Sequence, residues 1–302
     1  MKYHLLLSFI LLLNMQNVAA QSMPSVVVSI KPIHSIVTAL MSGIAEPQLL
    51  LKSNNSAHTF HLKPSQMRML ANADLVIIVS ENFESGLRKA IKNIDNDSLF
   101  QITSLSNLNI HKSRSEILYL DGHEEHEEHE ESIYDLHLWL DINNTKLIAK
   151  HISELLIKID PINEVKYNKN FLELTLDLEE LKIDLEKKMA PFLTSQFAVF
   201  SDTTQYFEKS MELIRPIIIT PYHGARLSIN RTLEAKKTMS DLNVSCLLYG
   251  QEVKPNQISV LSEGLNLKTF EIDILGTEYP AGHSQYFNLM KSISSQIASC
   301  LK

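Results

Sequence analysis

The sequence contains little glycine, little cysteine and no excess of positive charge, and each shortage excludes a class of protein. Its 302 residues include only 8 Gly and no glycine-rich run, so neither a phosphate-cradling loop nor a dinucleotide-binding fingerprint is present. Two Cys are too few for a disulfide-dense scaffold. A hydrophobic fraction of 44% excludes a disordered or collagen-like chain. The formal net charge of -7 argues against a general nucleic-acid-binding protein, which would present a basic face.

The N-terminus has the parts of an export signal. Lys2 supplies the positive start, residues 5–13 form an apolar core, and residues 18–20 are small and precede a predicted cut before Gln21. The apolar stretch is too short to cross about 30 Å of hydrocarbon, which favours a cleaved signal over a membrane anchor. Because the residue directly after the cut is not Cys and no later run of about eighteen apolar residues occurs, we expect a soluble exported protein without a lipid anchor.

The two cysteines, Cys246 and Cys300, lie near the end of the chain. An even pair in an exported chain is typical of one disulfide bond. The alternative is a cysteine-based metal site, but two Cys without a nearby His do not make a tetrahedral zinc set. We therefore predict a disulfide.

Short apolar runs alternate with helical periodicity in both halves of the chain. Strands are predicted at residues 26–30, 48–51, 75–80, 197–200, 217–220, 244–249 and 269–272. Helices are predicted at residues 33–41, 65–71, 144–158, 233–240, 256–264 and 284–301, and residues 202–205 resemble a capping box that opens a further helix. Strands that alternate with helices indicate parallel sheets flanked by helices.

A longer helix is predicted between the two halves. Over residues 164–189, apolar side chains recur three and four apart, and the segment lies between Pro161 and Pro191. Such a helix is roughly 39 Å long. A coiled-coil dimer is the alternative, but the seam is short and lacks a clean flanking charge pattern. We predict an α/β protein with an N-terminal lobe at residues 21–160, a connecting rigid helix at residues 161–191 and a C-terminal lobe at residues 192–302.

Several side chains could bind a metal. His58 and His61 lie between a predicted strand and a helix, where open α/β sheets place ligands. His137 has apolar neighbours that include the only Trp; they favour the neutral, metal-binding imidazole. Asp273 follows a predicted strand. Each has an ordinary alternative. His58 and His61 could be loop histidines, His137 a core histidine bonded to a carbonyl, and Asp273 a carboxylate that caps a turn.

An acidic run at residues 121–131 holds 7 of the 35 acidic residues and no basic one. The remaining 28 acids balance the 28 Lys and Arg, so the net charge belongs to this one segment. His123, His126 and His129 recur within it at every third position. Regular imidazoles among carboxylates favour weak, multi-site capture of divalent cations over a merely solvated loop.

Together these segments resemble the periplasmic metal-binding proteins of ABC importers, in particular the zinc-binding members. The resemblance extends over nearly the whole mature chain. It is carried by residues 31–36, His58 with residues 62–65, and residues 71–76, 135–140, 206–209, 275–277 and 298–302. It implies two α/β lobes bridged by a rigid helix, with one metal ion in the cleft. Zinc members of the family also carry a His- and acid-rich loop just before the second ligand.

The resemblance implies His58, His137 and Asp273 as the first, second and fourth metal ligands. The third position, after the first strand of the second lobe, holds Ser201, and a neutral hydroxyl is a poor zinc ligand. Three replacements stay open, which are an imidazole from His61 or His223, a water molecule, or the carboxylate of Asp202. Water or His61 is favoured, since Asp202 is expected to cap a helix.

The predicted function is capture of Zn²⁺ in the periplasm by a monomer and its delivery to an inner-membrane ABC permease and, through it, to the ATPase. Mn²⁺ or Fe²⁺ is the close alternative, because related members use mixed His and carboxylate sets. A second alternative is a zinc-scavenging protein whose cleft site has degenerated. A zinc hydrolase is disfavoured, because the chain has no His-Glu-x-x-His and no Glu beside His58 or His137. We expect neither an enzyme nor a nucleic-acid partner.

Overall fold

Two parallel β-sheets form the core of the protein. The structure is a computed structural model, and it describes residues 23–52, 60–114, 134–220 and 227–302. The first sheet has the strand order β2-β1-β3-β4 and the second repeats it as β6-β5-β7-β8, all parallel. The strands are Val26–Val28 (β1), Gln48–Leu49 (β2), Leu75–Ile78 (β3), Leu99–Gln101 (β4), Ala198–Ser201 (β5), Ile217–Thr220 (β6), Cys246–Gly250 (β7) and Lys268–Ile272 (β8).

Helices cover the sheets and connect them. They are Lys31–Leu40 (α1), Pro64–Ala71 (α2), Arg88–Ile91 (α3), Ile142–Ile159 (α4), Glu164–Met189 (α5), Gln205–Ser210 (α6), Ile229–Asp241 (α7), Pro255–Ser262 (α8) and Gln285–Leu301 (α9). The predicted two-lobed α/β fold is confirmed, and every predicted strand and helix is present, most of them with shifted ends. The sequence patterns missed β4 and α3, which are only three and four residues long.

Both sheets reverse their strand order at an equivalent point. The chain builds outward from β1 to β2 and then continues with β3 on the other side of β1, and β5, β6 and β7 follow the same path. Central strands such as β3 are buried along their whole length, which explains their continuous apolar sequence. Ligands of open α/β sheets bind outside the carboxyl ends of the strands at such a reversal. The fold therefore directs attention to the residues that follow β1 and β3 in the first sheet and β5 and β7 in the second.

The connecting helix α5 has the predicted bounds, Glu164–Met189. Its apolar seam is buried and packs against α1, α4 and α9 of the same chain. Asn170 interrupts the seam, and its Nδ2 donates to the carbonyl oxygens of Leu40 at 2.8 Å and Ser42 at 3.0 Å. The alternative prediction of a coiled-coil dimer through this seam is wrong, because helices of the same chain occupy it.

The last helix joins the second sheet to the first lobe. Cys300 in α9 forms a disulfide with Cys246 in β7, which confirms the predicted pairing. The other side of α9 packs against α1. There Ser35 Oγ accepts a hydrogen bond from the backbone N–H of Tyr286 at 3.0 Å and donates to the carbonyl of His283 at 2.7 Å. The two lobes are thus bonded directly to one another as well as through α5.

No helix within the four described ranges is both long and apolar enough to cross a membrane. The predicted export signal at residues 1–20 lies outside the described residues. The predicted lobe boundaries stay a prediction.

Candidate metal centre

His137 is held in an aromatic pocket at the junction of the lobes. It is 6% exposed and stands just before a 3₁₀ turn at Leu138–Leu140. The ring of Phe83 meets its imidazole edge-on at a centroid distance of 5.6 Å, and the ring of Trp139 lies at 5.5 Å. The surrounding rings fix the orientation of the imidazole and keep its environment apolar.

Asp135 anchors His137 from two residues upstream. Its Oδ1 lies 2.7 Å from Nδ1 of His137 and accepts the backbone N–H of the same residue at 3.0 Å. A carboxylate on one ring nitrogen fixes the tautomer and the orientation of the imidazole. Since Nδ1 faces Asp135, Nε2 is the nitrogen through which His137 would bind a transition metal.

A tyrosine of the second lobe supports this anchor. The hydroxyl of Tyr206, in α6, donates to the carbonyl oxygen of Asp135 at 2.7 Å and accepts the backbone N–H of His111 at 3.1 Å. Burial raises the pKa of Tyr206, so its hydroxyl keeps its proton and remains a donor. The segment that carries His137 is therefore fixed from both lobes.

A hydrogen bond joins the two segments that carry the predicted ligands. Nε1 of Trp139 donates to the carbonyl oxygen of Ile274 at 2.9 Å. Trp139 lies two residues after His137, and Ile274 directly follows Asp273. The hydroxyl of Tyr286, in α9, donates to the carbonyl of Trp139 at 2.8 Å and holds this connection in place. His137 and Asp273 therefore flank a single inter-lobe contact.

Asp273 directly follows β8 and organises the turn after it. Its Oδ1 accepts the backbone N–H groups of Leu275 and Gly276, both at 2.9 Å, and its Oδ2 accepts the hydroxyl of Thr277 at 2.6 Å and the backbone N–H of Thr277. Lys31, from the first lobe, donates to the carbonyl of Thr277 at 2.6 Å. A carboxylate offers about four acceptor positions, so a metal bound to Asp273 would replace or share one of these bonds.

Ser201 and Asp202 close the site on the second lobe. Ser201 is the last residue of β5 and is buried, with its Oγ 3.3 Å from Oγ1 of Thr220. The prediction that Asp202 caps the next helix is wrong. Helix α6 has Thr204 as N-cap without a side-chain cap bond, whereas both oxygens of Asp202 accept from Nε of Arg114, at 3.0 and 3.1 Å. Pairing with Arg114 also makes Asp202 a weak candidate for the third ligand.

The predicted ligands are only partly described by the structure. His58, His223 and the loop histidines His123, His126 and His129 lie outside the described residues. His61 is exposed in the segment before α2. Among the residues that the structure does describe, no three His, Cys, Asp or Glu side chains form a group that could hold a metal ion. His61, His137 and Asp273 therefore do not form such a group by themselves.

Sequence reasoning missed the residues that support the site. Asp135 precedes His137 by two residues, so the carboxylate-imidazole pair was visible as a short Asp-x-His pattern. The contacts of Arg114 had no such signal, because Asp202 and Glu208 are 88 and 94 residues away. Tyr206 likewise reaches Asp135 across 71 residues. Only the packing of the two lobes brings these groups together.

Comparisons with known proteins agree with this fold. A model of the family ZnuA, zinc-uptake complex component A, periplasmic, matches residues 26–300. The high-affinity zinc uptake system protein ZnuA of Brucella abortus is 27% identical over 311 residues, which cover 91% of each chain. A crystal structure of ZnuA matches with a TM-score of 0.76 at 20% identity, over 93% of this chain and 100% of that one. The SBP FpvC from Pseudomonas aeruginosa in complex with Mn²⁺ matches with a TM-score of 0.77 at 13% identity, over 93% of this chain and 99% of that one.

Proposed function

The chain belongs to the ZnuA family of zinc-uptake components, and from this we propose that it captures Zn²⁺ in the periplasm and delivers it to an ABC permease. Relatives in Brucella abortus and Yersinia pestis, 27% and 25% identical to it, are named as high-affinity zinc uptake system proteins. The permease and its ATPase are the proposed partners. Export by a cleavable signal at residues 1–20 would place the chain in the periplasm, where family members act.

We propose that His58, His137 and Asp273 bind the ion between the lobes. The bond from Trp139 to Ile274 is the observation that carries this proposal, because it keeps a histidine of the first lobe and a carboxylate of the second beside one contact. The carboxylate of Asp135 on Nδ1 is the outer-shell partner that metal-bound histidines usually have. Because the ligands from both lobes belong to one chain, we expect the metal-carrying unit to be a monomer.

A water molecule or His61 is the proposed third ligand. Ser201 is buried beside Thr220 and offers only a neutral hydroxyl, and Asp202 is paired with Arg114. His223 remains the further candidate. A site of two imidazoles, one carboxylate and a water is a familiar zinc arrangement. We expect it to bind zinc less tightly than a site with three imidazoles.

Two imidazoles and a carboxylate suit zinc better than magnesium or calcium, which prefer oxygen ligands alone. Some structural neighbours are named as complexes with Mn²⁺ or Ni²⁺. Another transition metal, such as Mn²⁺ or Fe²⁺, is therefore the alternative cargo. Because sites of this kind generally bind Zn²⁺ more tightly than Mn²⁺, accumulation of the two metals by cells with and without the protein, rather than competition alone, distinguishes these cargoes. A result in which Mn²⁺ displaces Zn²⁺ at equal concentration would contradict the zinc assignment.

We propose binding and transport as the only activity, without catalysis. The alternative of a scavenging protein with a degenerate cleft makes a different prediction for the loop. Deleting residues 121–131 removes His123, His126 and His129 together with seven carboxylates. The proposed function expects one tight zinc site to survive the deletion, whereas a scavenging protein would lose all zinc binding.

Zinc titration by calorimetry tests the proposed ligands on the mature protein. We expect His58→Ala, His137→Ala and Asp273→Ala each to lower the affinity by about 100-fold or more, since even outer-shell changes cost about 10- to 100-fold. His61→Ala separates a histidine third ligand from water, because only the first requires His61. His283→Ala is the matched control, since His283 is an exposed histidine of the second lobe. Unchanged tight binding in both His58→Ala and His137→Ala would reject the site.

A further inference from the structure

The outer face of helix α5 carries an apolar stripe that points away from the core. Val165 is 84% exposed, Leu172 61%, Leu176 63% and Ile183 59%. At about 100° per residue, these four side chains lie opposite the buried seam, which is centred on Leu174. Scattered exposed hydrophobics are ordinary, but these four lie on one face of a single helix.

The stripe has the spacing of a coiled-coil seam. Lys169 and Glu179 fill the two gaps in it, and the six positions 165, 169, 172, 176, 179 and 183 follow one another at steps of four, three, four, three and four. This alternation is the heptad pattern that keeps one helix face against a partner helix. It extends over about 27 Å of helix. The charged residues therefore occupy seam positions rather than an unrelated part of the surface.

The stripe is also symmetric about its middle. Val165 and Ile183 both lie nine residues from Leu174, Leu172 and Leu176 both lie two residues from it, and Lys169 and Glu179 both lie five residues from it. When two copies of the helix run antiparallel with Leu174 at the same level, each aliphatic residue therefore meets another aliphatic residue. Each Lys169 then stands level with the partner's Glu179.

We propose that two copies of this chain pair through the outer faces of their α5 helices in an antiparallel, two-fold symmetric arrangement. An isologous contact of this kind uses the same surface on both subunits. Val165 packs against the partner's Ile183, and Leu172 against the partner's Leu176. The dimer leaves each metal site within its own chain, so the monomeric metal-binding unit is unchanged.

Charge selects the antiparallel orientation. A parallel pair in the same register would place Lys169 beside the partner's Lys169 and Glu179 beside the partner's Glu179, and like charges at an interface disfavour a pairing. In the antiparallel pair the same residues form two Lys–Glu contacts. In the single chain, Lys169 pairs with Glu173 at 3.5 Å and Glu179 pairs with Lys146 of α4 at 2.5 Å, yet the side chains of Lys169 and Glu179 stay 63% and 49% exposed, so each can exchange its intrachain partner for one in the second copy.

The contact is small, which makes the dimer reversible. Four aliphatic side chains from each chain bury less surface than the roughly 1,200–2,000 Å² of a standard stable interface. We expect a dissociation constant on the order of 100 µM. The chain is therefore a monomer in dilute solution, as the sequence predicts, and a dimer when it is concentrated.

Sedimentation velocity of the metal-free mature protein, over about 1 µM to 1 mM, tests the pairing. We expect the sedimentation coefficient to rise with concentration toward the value of a dimer. Leu172→Glu should weaken association by at least about tenfold, because it places two carboxylates in the apolar centre of the dimer contact. Leu233→Glu is the matched control, since Leu233 in α7 is 62% exposed and lies outside the stripe. A wild-type protein that stays monomeric, or equal association of Leu172→Glu and wild type, would overturn the proposal.

Charge reversal and cross-linking test the orientation. Lys169→Glu and Glu179→Lys are each expected to weaken association, and the double variant to restore it. Both native cysteines are in the disulfide, so introduced cysteines react alone. With a short bis-maleimide, a chain carrying both Val165→Cys and Ile183→Cys should form a covalent dimer, whereas Val165→Cys alone should not. Cross-linking of the single variant would show a parallel pair and reject the antiparallel arrangement.

Discussion

The two lobes share one strand order but neutralise their buried acidic side chains in different ways. In the first lobe, Glu84 is 0% exposed and lies after β3. In the second lobe, Asp202 and Glu208 are buried around the start of α6. A buried carboxylate is costly unless it is protonated, hydrogen-bonded or paired with a cation, and the lobes use different solutions.

The first lobe satisfies Glu84 from its own residues. The hydroxyl of Ser29 donates to Oε1 at 2.5 Å, and the backbone N–H groups of Val79 and Ser80 donate to the two oxygens at 3.0 Å each. Burial outweighs these bonds and raises the pKa of Glu84 to about 7. Within the described residues, the groups that donate to this carboxyl are a hydroxyl and two backbone amides, which carry no charge, so the charge of Glu84 depends on pH.

The second lobe depends on an arginine from the first half of the chain. Arg114 donates from Nε to Asp202 at 3.0 Å and from a terminal nitrogen to Glu208 at 2.7 Å. Burial lowers the pKa of Arg114, but the two carboxylates outweigh this and raise it, so the guanidinium remains charged. The comparison indicates that the first lobe satisfies Glu84 with its own groups, whereas Asp202 and Glu208 of the second lobe depend on a cation from the first.

Removal of the arginine has the largest expected effect. Arg114→Met keeps much of the side-chain volume but leaves Asp202 and Glu208 without their cation. Breaking a buried ion pair from one side costs about 3–5 kcal/mol, and we expect a loss of this size in the free energy of unfolding. Urea unfolding of the metal-free protein, followed by circular dichroism, measures it.

The exposed pair of Lys146 and Glu179 provides the control for this prediction. Its side chains are 24% and 49% exposed, and exposed ion pairs contribute about 0–1 kcal/mol. Lys146→Met should therefore cost far less than Arg114→Met. Equal losses in the two variants would mean that the second lobe does not depend on Arg114 for its stability.

The pH dependence of Glu84 has the next largest effect. Its folded pKa of about 7 exceeds the unfolded value of 4.5, so its contribution to stability is fully present below about pH 4.5 and is lost as the pH rises through 7. The loss across this window is on the order of 3 kcal/mol. Glu84→Gln cannot titrate, and we expect its stability to decline less than that of the wild type between pH 4.5 and 8.

Urea unfolding at several pH values measures this difference. Glu180→Gln, at an exposed glutamate of α5, is the control for removing one carboxyl group, and its pH profile should match that of the wild type. The absolute stability of Glu84→Gln is not the readout, since an amide cannot accept all three hydrogen bonds. A Glu84→Gln profile parallel to the wild type would mean that this carboxyl does not titrate in the window.

Local sequence patterns predicted the fold because each helix or strand is formed by a short, continuous stretch of residues. The periodicity of residues 164–189 predicted helix α5 with its bounds, and the apolar run at residues 217–220 predicted β6. The two short elements β4 and α3 were missed, because three or four residues carry too little periodicity to be distinguished from a loop. Element ends shifted by a few residues, since capping contacts decide them.

The site was less predictable because its supports come from distant parts of the chain. His137 and Asp273 were selected from their neighbours and from a family resemblance, and the hydrogen bond from Trp139 to Ile274 joins their segments across 135 residues. The pairing of Asp202 with Arg114 replaced the expected helix cap, because a buried cation is a stronger partner for a carboxylate than a backbone N–H. Such contacts depend on how the lobes pack.

The smallest expected effect is on zinc affinity, and it concerns the side chains that hold the proposed ligand of each lobe. The first lobe braces His137 with a single carboxylate, since Oδ1 of Asp135 contacts both Nδ1 and the backbone N–H. The second lobe braces Asp273 with several donors, of which the hydroxyl of Thr277 is one. Asp135→Asn should therefore lower zinc affinity about 10- to 100-fold, whereas Thr277→Val should lower it less than tenfold, because the backbone donors stay.

Calorimetric titration of both variants against the wild type measures the difference, with circular dichroism to establish that each is folded. A larger loss in Thr277→Val than in Asp135→Asn would reverse the comparison and make the turn of the second lobe the more sensitive half of the site.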